Sequence, residues 1–132
     1  MYLLDTNVWI HYLNNTTPSV RHRLEQCRPE DVFLSEIVRF ELIFGALKSQ
    51  RRTENMQVIQ LLTAQFGTLP FDVTAAEVAA EIRHDLQRQG TPIGAYDVLI
   101  AATAIAHRAV LVTHNVGEFS RIPALRIENW VE

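Results

Sequence analysis

The sequence predicts an α/β protein in which helices cover both faces of a mostly parallel sheet. Short apolar runs typical of buried strands occupy residues 1–4, 32–35, 68–71 and 109–113. Longer segments with helical spacing of apolar residues separate these runs, and this alternation favours parallel strands joined by helices. Small polar residues follow several of the runs, as expected where a strand ends and a helix begins.

The predicted helices share apolar residues at intervals of three and four positions. They cover residues 8–13, 19–26, 36–49, 53–66, 74–89 and 93–107. Thr74 is the expected N-cap of the fifth helix, with Glu77 completing a capping box, and Gly90 is expected to end it. Residues 126–130 are predicted to form a final edge strand.

A chain of 132 residues is expected to form one domain, residues 1–132, with a core of two or three layers. The one cysteine excludes an internal disulfide and a zinc site built from cysteines, and it fits a reducing cytoplasm. No apolar run approaches the roughly 20 residues of a membrane span, and no leader segment precedes Asp5, so we expect a soluble cytoplasmic protein. A formal net charge of −3 argues against an architectural nucleic-acid binder but leaves room for an enzyme with a local basic patch.

The first apolar run ends in the polar triplet formed by Asp5, Thr6 and Asn7. In open parallel sheets, ligands and chemistry lie at the carboxyl ends of the strands. Asp5 is therefore a candidate site residue at the N-terminus of the following helix. The alternative is that Asp5 or Thr6 only caps that helix.

Two further acids lie among apolar residues. No residue three or four positions from Glu41 is basic, so its carboxylate is costly unless something positive compensates it, and an ion pair with Lys48 is the alternative. Asp97 is followed by Ile100 and Ala101 at the same spacing. Because Asp97 lies in the first turns of its helix, simple stabilisation by the helix dipole is the alternative there.

The run at 109–113 ends in Thr113, His114 and Asn115, which mirrors the ending of the first run. Two parallel strands ending in this way would place Asn115 at the same edge of the sheet as Asp5. A plain turn residue at Asn115, and a solvated acid at Glu118, are the alternatives.

Carboxylates brought close together raise one another's pKa and favour a shared cation. With oxygen ligands and no cysteine available, Mg²⁺ and Mn²⁺ are the natural ions. Such an ion can lower the pKa of a bound water and clamp the oxygens of a phosphodiester under attack. The residues by themselves predict a metal-dependent phosphoryl hydrolase built on Asp5, Glu41 and Asp97.

Four blocks, in order along nearly the whole chain, resemble the PIN-domain nucleases and, among them, the VapC toxins of bacterial toxin–antitoxin pairs. The blocks are residues 3–7, Ser35 with 40–42 and Gly45, residues 93–102, and residues 111–115 with Phe119. The resemblance implies a three-layer α/β/α sandwich with a central sheet of four to five strands. It also implies an endoribonuclease that depends on Mg²⁺ or Mn²⁺.

The resemblance implies that Asp5, Glu41 and Asp97 are the catalytic acids that bind the metal ion. Many relatives have a fourth acid where this chain has Asn115, an amide that can ligate or orient but carries no charge. We expect Asn115 to act in the site and Glu118 to replace part of the missing charge. Supporting roles beside the metal ligands are expected for Thr6, Asn7, Ser35, Thr113 and Glu118.

The resemblance also implies RNA as the substrate, with tRNA, and in particular the anticodon stem-loop of initiator tRNA, as the leading expectation. Cleavage there would inhibit translation. We expect Lys48 and Arg51 to contact RNA phosphates, with an ordinary solvated face as the alternative. His11 and His114 are further basic residues near the expected mouth, and His114 is a candidate proton shuttle.

The resemblance implies that this chain forms a homodimer, enters a higher toxin–antitoxin assembly, and is silenced by a VapB-type antitoxin whose C-terminal segment covers the site. The helix predicted at 36–49 is apolar on two sides, which is expected of a helix that meets a partner. We expect Phe40, Ile43 and Phe44 to contact the antitoxin.

Three alternative functions remain open from the residues. A phosphatase of the haloacid dehalogenase type also begins with a strand followed by an aspartate, but it needs a second aspartate where this chain has Asn7. A receiver-like signalling domain could share the sheet, but it usually gathers an acidic pair before its phosphorylated aspartate. A non-enzymatic PIN scaffold that only binds partners is favoured by the loss of the fourth acid.

Overall fold

The computed structural model describes residues 1–131. Its five-stranded sheet is parallel throughout and has the strand order β3-β2-β1-β4-β5. The strands are β1 (Tyr2–Leu4), β2 (Val32–Ser35), β3 (Gly67–Leu69), β4 (Val110–Val112) and β5 (Ile127–Glu128). The predicted α/β class, the parallel sheet and the number of strands are confirmed.

Seven α-helices flank this sheet within residues 1–131. They are α1 (Thr6–Asn14), α2 (Pro18–Glu25), α3 (Glu36–Leu47), α4 (Arg52–Gln65), α5 (Val73–Arg88), α6 (Ala95–Ala106) and α7 (Val116–Phe119). The predicted helices agree in number and order apart from the short α7, and their ends shift by up to two residues. The helix predicted from residue 93 begins at Ala95, because Gly94 has the extended backbone of an N-cap residue.

The predicted N-cap of α5 is wrong. Asp72, and not Thr74, occupies that position: its backbone is extended, and its carboxylate accepts a hydrogen bond of 2.9 Å from the Ala75 N–H. Thr74 therefore lies inside the first turn of α5, so the expected capping box with Glu77 does not form. A carboxylate at the N-cap also gains from the helix dipole, which a threonine hydroxyl does not.

The last strand is shorter than predicted, since it covers Ile127–Glu128 and not residues 126–130. Trp130 leaves the sheet and is buried, with its ring edge-on against Tyr2 at a centroid distance of 5.2 Å. The Trp130 carbonyl accepts a hydrogen bond of 2.8 Å from the Ser19 hydroxyl, so the tail is attached to α2.

The centre of the sheet is fully apolar. Leu3 and Leu4 of β1 stand beside Leu111 and Val112 of β4, and all four side chains are fully buried. Burial of each such side chain contributes about 2 kcal/mol to the free energy of unfolding. Because β1 and β4 are parallel neighbours, the residues that follow them leave the sheet at the same edge. No helix within residues 1–131 has the length and apolar character needed to cross a membrane.

The cap of α5 leads to a prediction. Asp72→Ala should lower the free energy of unfolding by about 1 kcal/mol, because it leaves the Ala75 N–H without its partner. Thr74→Ala, in the same turn, is the matched control and should have a much smaller effect. Urea denaturation followed by circular dichroism measures both. If the threonine variant were the more destabilised of the two, the assignment of the cap would be wrong.

Candidate metal and active site

Asp5 is held at the point where β1 ends and α1 begins. Its carboxylate accepts two hydrogen bonds, one of 2.8 Å from the Thr6 N–H to Oδ1 and one of 2.9 Å from the Thr113 hydroxyl to Oδ2. The side chain is 8% exposed, and burial raises the pKa of Asp5 although both hydrogen bonds act to lower it. Asp5 is thus the N-cap of α1, but a cap needs only one of its oxygens.

Glu41 lies half-buried on α3, and its Oε1 accepts a hydrogen bond of 2.7 Å from the Thr6 hydroxyl. The alternative of an ion pair with Lys48 is wrong for the residues that the structure describes. The Lys48 ammonium instead lies 4.9 Å from the centre of the Phe44 ring, in a cation–π contact.

Asp97 lies in the first turn of α6 and is half-buried. Burial is the main cause that raises its pKa to about 6, and the negative charges of Asp5, Glu118 and Glu41 raise it further. The helix dipole acts to lower the pKa of Asp97, so burial and the neighbouring acids act against it. The charges of Asp5, which follows β1, of Glu41 on α3 and of Glu118 on α7 therefore all act on Asp97 of α6.

Asn115 follows β4 and orients one of these acids. Its backbone N–H donates a hydrogen bond of 3.0 Å to the Thr113 hydroxyl, and its side-chain amide donates one of 3.1 Å to Glu118 Oε2. Thr113 thus accepts from Asn115 while it donates to Asp5. The side-chain amide of Asn115 thus holds an acid from the turn that follows it.

No basic side chain forms a salt bridge with any of these four acids within the described residues 1–131. The same residues contain no group of three His, Cys, Asp or Glu side chains close enough together to hold a metal ion as they stand. The donor set nevertheless fits a hard divalent cation, because it consists of carboxylate oxygens whose repulsion is not compensated by protein cations. A bound cation requires these carboxylates to move closer together.

A cleft of about 400 Å³ opens beside Asp5. Its lining residues are Asp5, Asn7, Ile10, His11, His114 and Asn115. The sequence prediction did not include Ile10. Its position was nevertheless readable, since Ile10 lies three residues after Asn7 and so faces the same side of a helix.

Ser35 does not face this group of acids through a free hydroxyl. The side chain is fully buried and caps α3, where it accepts a hydrogen bond of 3.0 Å from the Val38 N–H. Its place at the end of β2 makes it a structural support for the helix that carries Glu41.

Arg51, which was expected to contact RNA, is exposed and forms an ion pair with Glu54.

Helix α3, which was predicted to be apolar on two sides, has one apolar face in the core and another on the outside of the protein. Val38, Leu42 and Ala46 form the buried face of α3. The outer face, which we call the α3 patch, consists of Phe40, Phe44 and Leu47 of α3 together with Tyr96 of α6, each 43% to 55% exposed. Phe40 and Tyr96 contact each other edge-to-face at 5.4 Å, and Tyr96 was not predicted as part of this surface. Ile43 is half-buried beside the patch.

Comparison with known proteins identifies the family. The PIN domain family matches residues 2–125. The chain is 37% identical over 129 residues to the tRNA(fMet)-specific endonuclease VapC of Shigella flexneri, with 98% of this chain and 97% of that protein covered.

Solved structures show the same fold. The VapBC-1 structure from nontypeable Haemophilus influenzae has a TM-score of 0.92 at 36% identity, with 99% of this chain and 98% of that chain covered. A toxin–antitoxin complex from Klebsiella pneumoniae has a TM-score of 0.72 at 26% identity, with 95% of both chains covered.

The raised pKa of Asp97 leads to a prediction for the protein without metal. A carboxyl whose pKa is higher in the folded than in the unfolded state binds extra protons when folded. Its contribution to stability is therefore present below pH 3.8 and is lost as the pH rises through about 6. Asp97→Asn removes this loss, so the variant should melt a few degrees above the wild type at pH 7 in EDTA and at the same temperature near pH 4.

Thermal denaturation of both proteins across this pH range makes the measurement. Asp85→Asn, at an exposed position of α5, is the matched control. A gap between the wild type and Asp97→Asn that does not change with pH would contradict the assignment.

Proposed function

This chain belongs to the PIN-domain family and, within it, to the VapC ribonucleases, and we propose on that premise that it is a toxin that cleaves RNA with the help of Mg²⁺ or Mn²⁺. The observation that carries the proposal is the set of carboxylates at the edge of the sheet. They come from separate elements, the charges of Asp5, Glu41 and Glu118 act on Asp97, and none of the four forms a salt bridge with a basic side chain in the described residues.

In this proposal Asp5, Glu41 and Asp97 hold the cation. When bound, such a cation acts as a Lewis acid for the hydrolysis of a phosphodiester bond. Glu118 supplies the fourth carboxylate, and Asn115 orients it through the hydrogen bond between its amide and Glu118 Oε2. The charge that many relatives have at position 115 is thereby moved to position 118 and is retained.

The proposed substrate is RNA, with tRNA, and initiator tRNA in particular, as the first candidate. This rests on the Shigella flexneri relative, whose name states that it is specific for tRNA(fMet). The cleft beside Asp5 offers Asn7, His11 and His114 to a bound strand. Of the two basic residues expected to contact phosphates, Lys48 lies over the Phe44 ring and forms no ion pair in the described residues, whereas Arg51 must first leave Glu54.

A VapB-type antitoxin is the proposed regulator of the cleavage. The Klebsiella pneumoniae neighbour is a toxin–antitoxin complex, and the α3 patch offers an apolar surface near Glu41. We propose that Phe40, Ile43 and Phe44 contact the antitoxin, with Phe44 as the most exposed of the three. A homodimer of this chain is proposed from the family resemblance.

The first test concerns the metal-dependent cleavage. Asp5→Asn should reduce cleavage of a tRNA substrate at least about 100-fold, because it removes one charge from the ligand set and weakens cation binding. Cleavage by the wild type should require Mg²⁺ or Mn²⁺ and stop in EDTA. Gel analysis of end-labelled tRNA measures the rate, and Asp85→Asn is the matched control.

The same preparation separates the alternative functions. A haloacid dehalogenase would release phosphate from a phosphomonoester and leave the tRNA intact. A PIN scaffold would do neither. Either of these two results would contradict the proposed function.

The second test concerns the antitoxin contact. Phe44→Ala should weaken the affinity for the antitoxin at least about tenfold. An aromatic side chain that becomes buried in an interface commonly contributes that much binding free energy. Leu61→Ala, at a position of α4 that is 71% exposed, should leave the affinity unchanged. Isothermal titration with the purified antitoxin measures both variants. A Phe44→Ala protein that keeps its fold and its full affinity would exclude this contact.

A further inference from the structure

Thr6 forms hydrogen bonds with two acids, Asp5 and Glu41, that are distant from each other in the sequence. Its backbone N–H donates to Asp5 Oδ1 at 2.8 Å, and its hydroxyl donates to Glu41 Oε1 at 2.7 Å. Glu41 lies 35 positions further along the chain, on a different helix. A single residue at the start of α1 thus connects the end of β1 with the middle of α3.

The hydroxyl of Thr6 is the one hydrogen-bond partner that residues 1–131 provide for the Glu41 carboxylate. A glutamate side chain has three rotatable bonds, so its carboxylate is poorly fixed without such a partner. A hydrogen bond to a charged oxygen is stronger than a neutral one, and 2.7 Å is typical of that kind. Threonine has a short side chain with one torsion between backbone and hydroxyl and is confined to two main rotamers in a helix, so little conformational freedom is lost when the hydroxyl binds Glu41.

We propose that Thr6 is a positioning residue, which acts through Glu41 and holds that carboxylate toward Asp5 and Asp97. This inference rests on the proposed function, because it assigns Thr6 to the same cation site. Thr6 engages only Oε1, which leaves Glu41 Oε2 free to act as a ligand. Asp5 keeps its own bonds to the Thr6 backbone and to Thr113 when the Thr6 side chain is changed, so the two acids can be separated by experiment.

The test replaces Thr6 by valine, which keeps the shape and removes the donor, and by serine, which keeps the donor. Loss of a hydrogen bond to a metal ligand commonly costs 10- to 100-fold in affinity or activity. Thr6→Val should bind Mn²⁺ about tenfold more weakly in titrations followed by electron paramagnetic resonance. The kcat for RNA cleavage should fall by a similar factor, with little change in KM for RNA. Thr6→Ser should recover most of both losses.

Thr74→Val, at an exposed threonine of α5, is the matched control and should behave as the wild type. A double-mutant cycle with Glu41→Ala, which removes the acceptor of the Thr6 hydroxyl, then tests the route of the effect. If Thr6 acts through Glu41, the Mn²⁺ affinity lost on Thr6→Val should be small in the Glu41→Ala background. Equal losses in both backgrounds would overturn the proposal and would leave Thr6 with a merely structural role.

The Mn²⁺ titration separates this inference from the proposed function. A wild type that binds Mn²⁺ but cleaves no RNA refutes the function and leaves the role of Thr6 to be decided by the binding data. A folded Thr6→Val variant that binds Mn²⁺ as tightly as the wild type refutes the role of Thr6, whatever the cleavage result. A wild type that binds no Mn²⁺ refutes both.

Discussion

The structure depends on the burial of one carboxylate where the two central strands end. Leu4 and Val112 are paired, fully buried neighbours, so the residues that follow them are forced to the same edge of the sheet. Asp5 is therefore fixed between the first turn of α1 and the hydroxyl of Thr113, and little of its surface remains in water. Desolvation of a charged group is costly, and the protein accepts this cost at the position where its other acids also gather.

The acids at this edge are supported by small polar groups and form no salt bridge with a basic side chain in residues 1–131. The side chains of Thr6, Thr113 and Asn115 each donate a hydrogen bond to one carboxylate, which orients the oxygens and adds no positive charge to the group. Such an arrangement is a poor way to stabilise a fold and a suitable way to receive a cation. The pKa of Asp97 is raised first by its burial and then by the negative charges of Asp5, Glu118 and Glu41.

Helix α3 illustrates how far an apolar pattern can be interpreted. Its sequence is apolar on two sides, and the pattern alone does not state which side the core takes. The structure buries Val38, Leu42 and Ala46 and leaves Phe40 and Phe44 outside, where Tyr96 of another helix extends the same surface. The two aromatic residues expected to contact a partner thus lie on the outer face, and aliphatic side chains form the buried face.

The sequence by itself determined the order of the elements, the parallel sheet and the identity of the unusual acids. These follow from local signals: apolar runs of strand length, polar residues at their ends, and acids without basic neighbours. The predicted N-cap of α5 was wrong, because Asp72 caps the helix two residues before Thr74. The predicted length of β5 was wrong, because Trp130 leaves the sheet and is buried. Only the tertiary structure decided that Thr6 reaches Glu41 and that Asn115 holds Glu118. The hydrogen bond from Thr6 to Glu41 depends on how α3 packs against α1, and the hydrogen bond from Asn115 to Glu118 depends on the turn that follows β4. A pattern of residue types specifies neither of these arrangements.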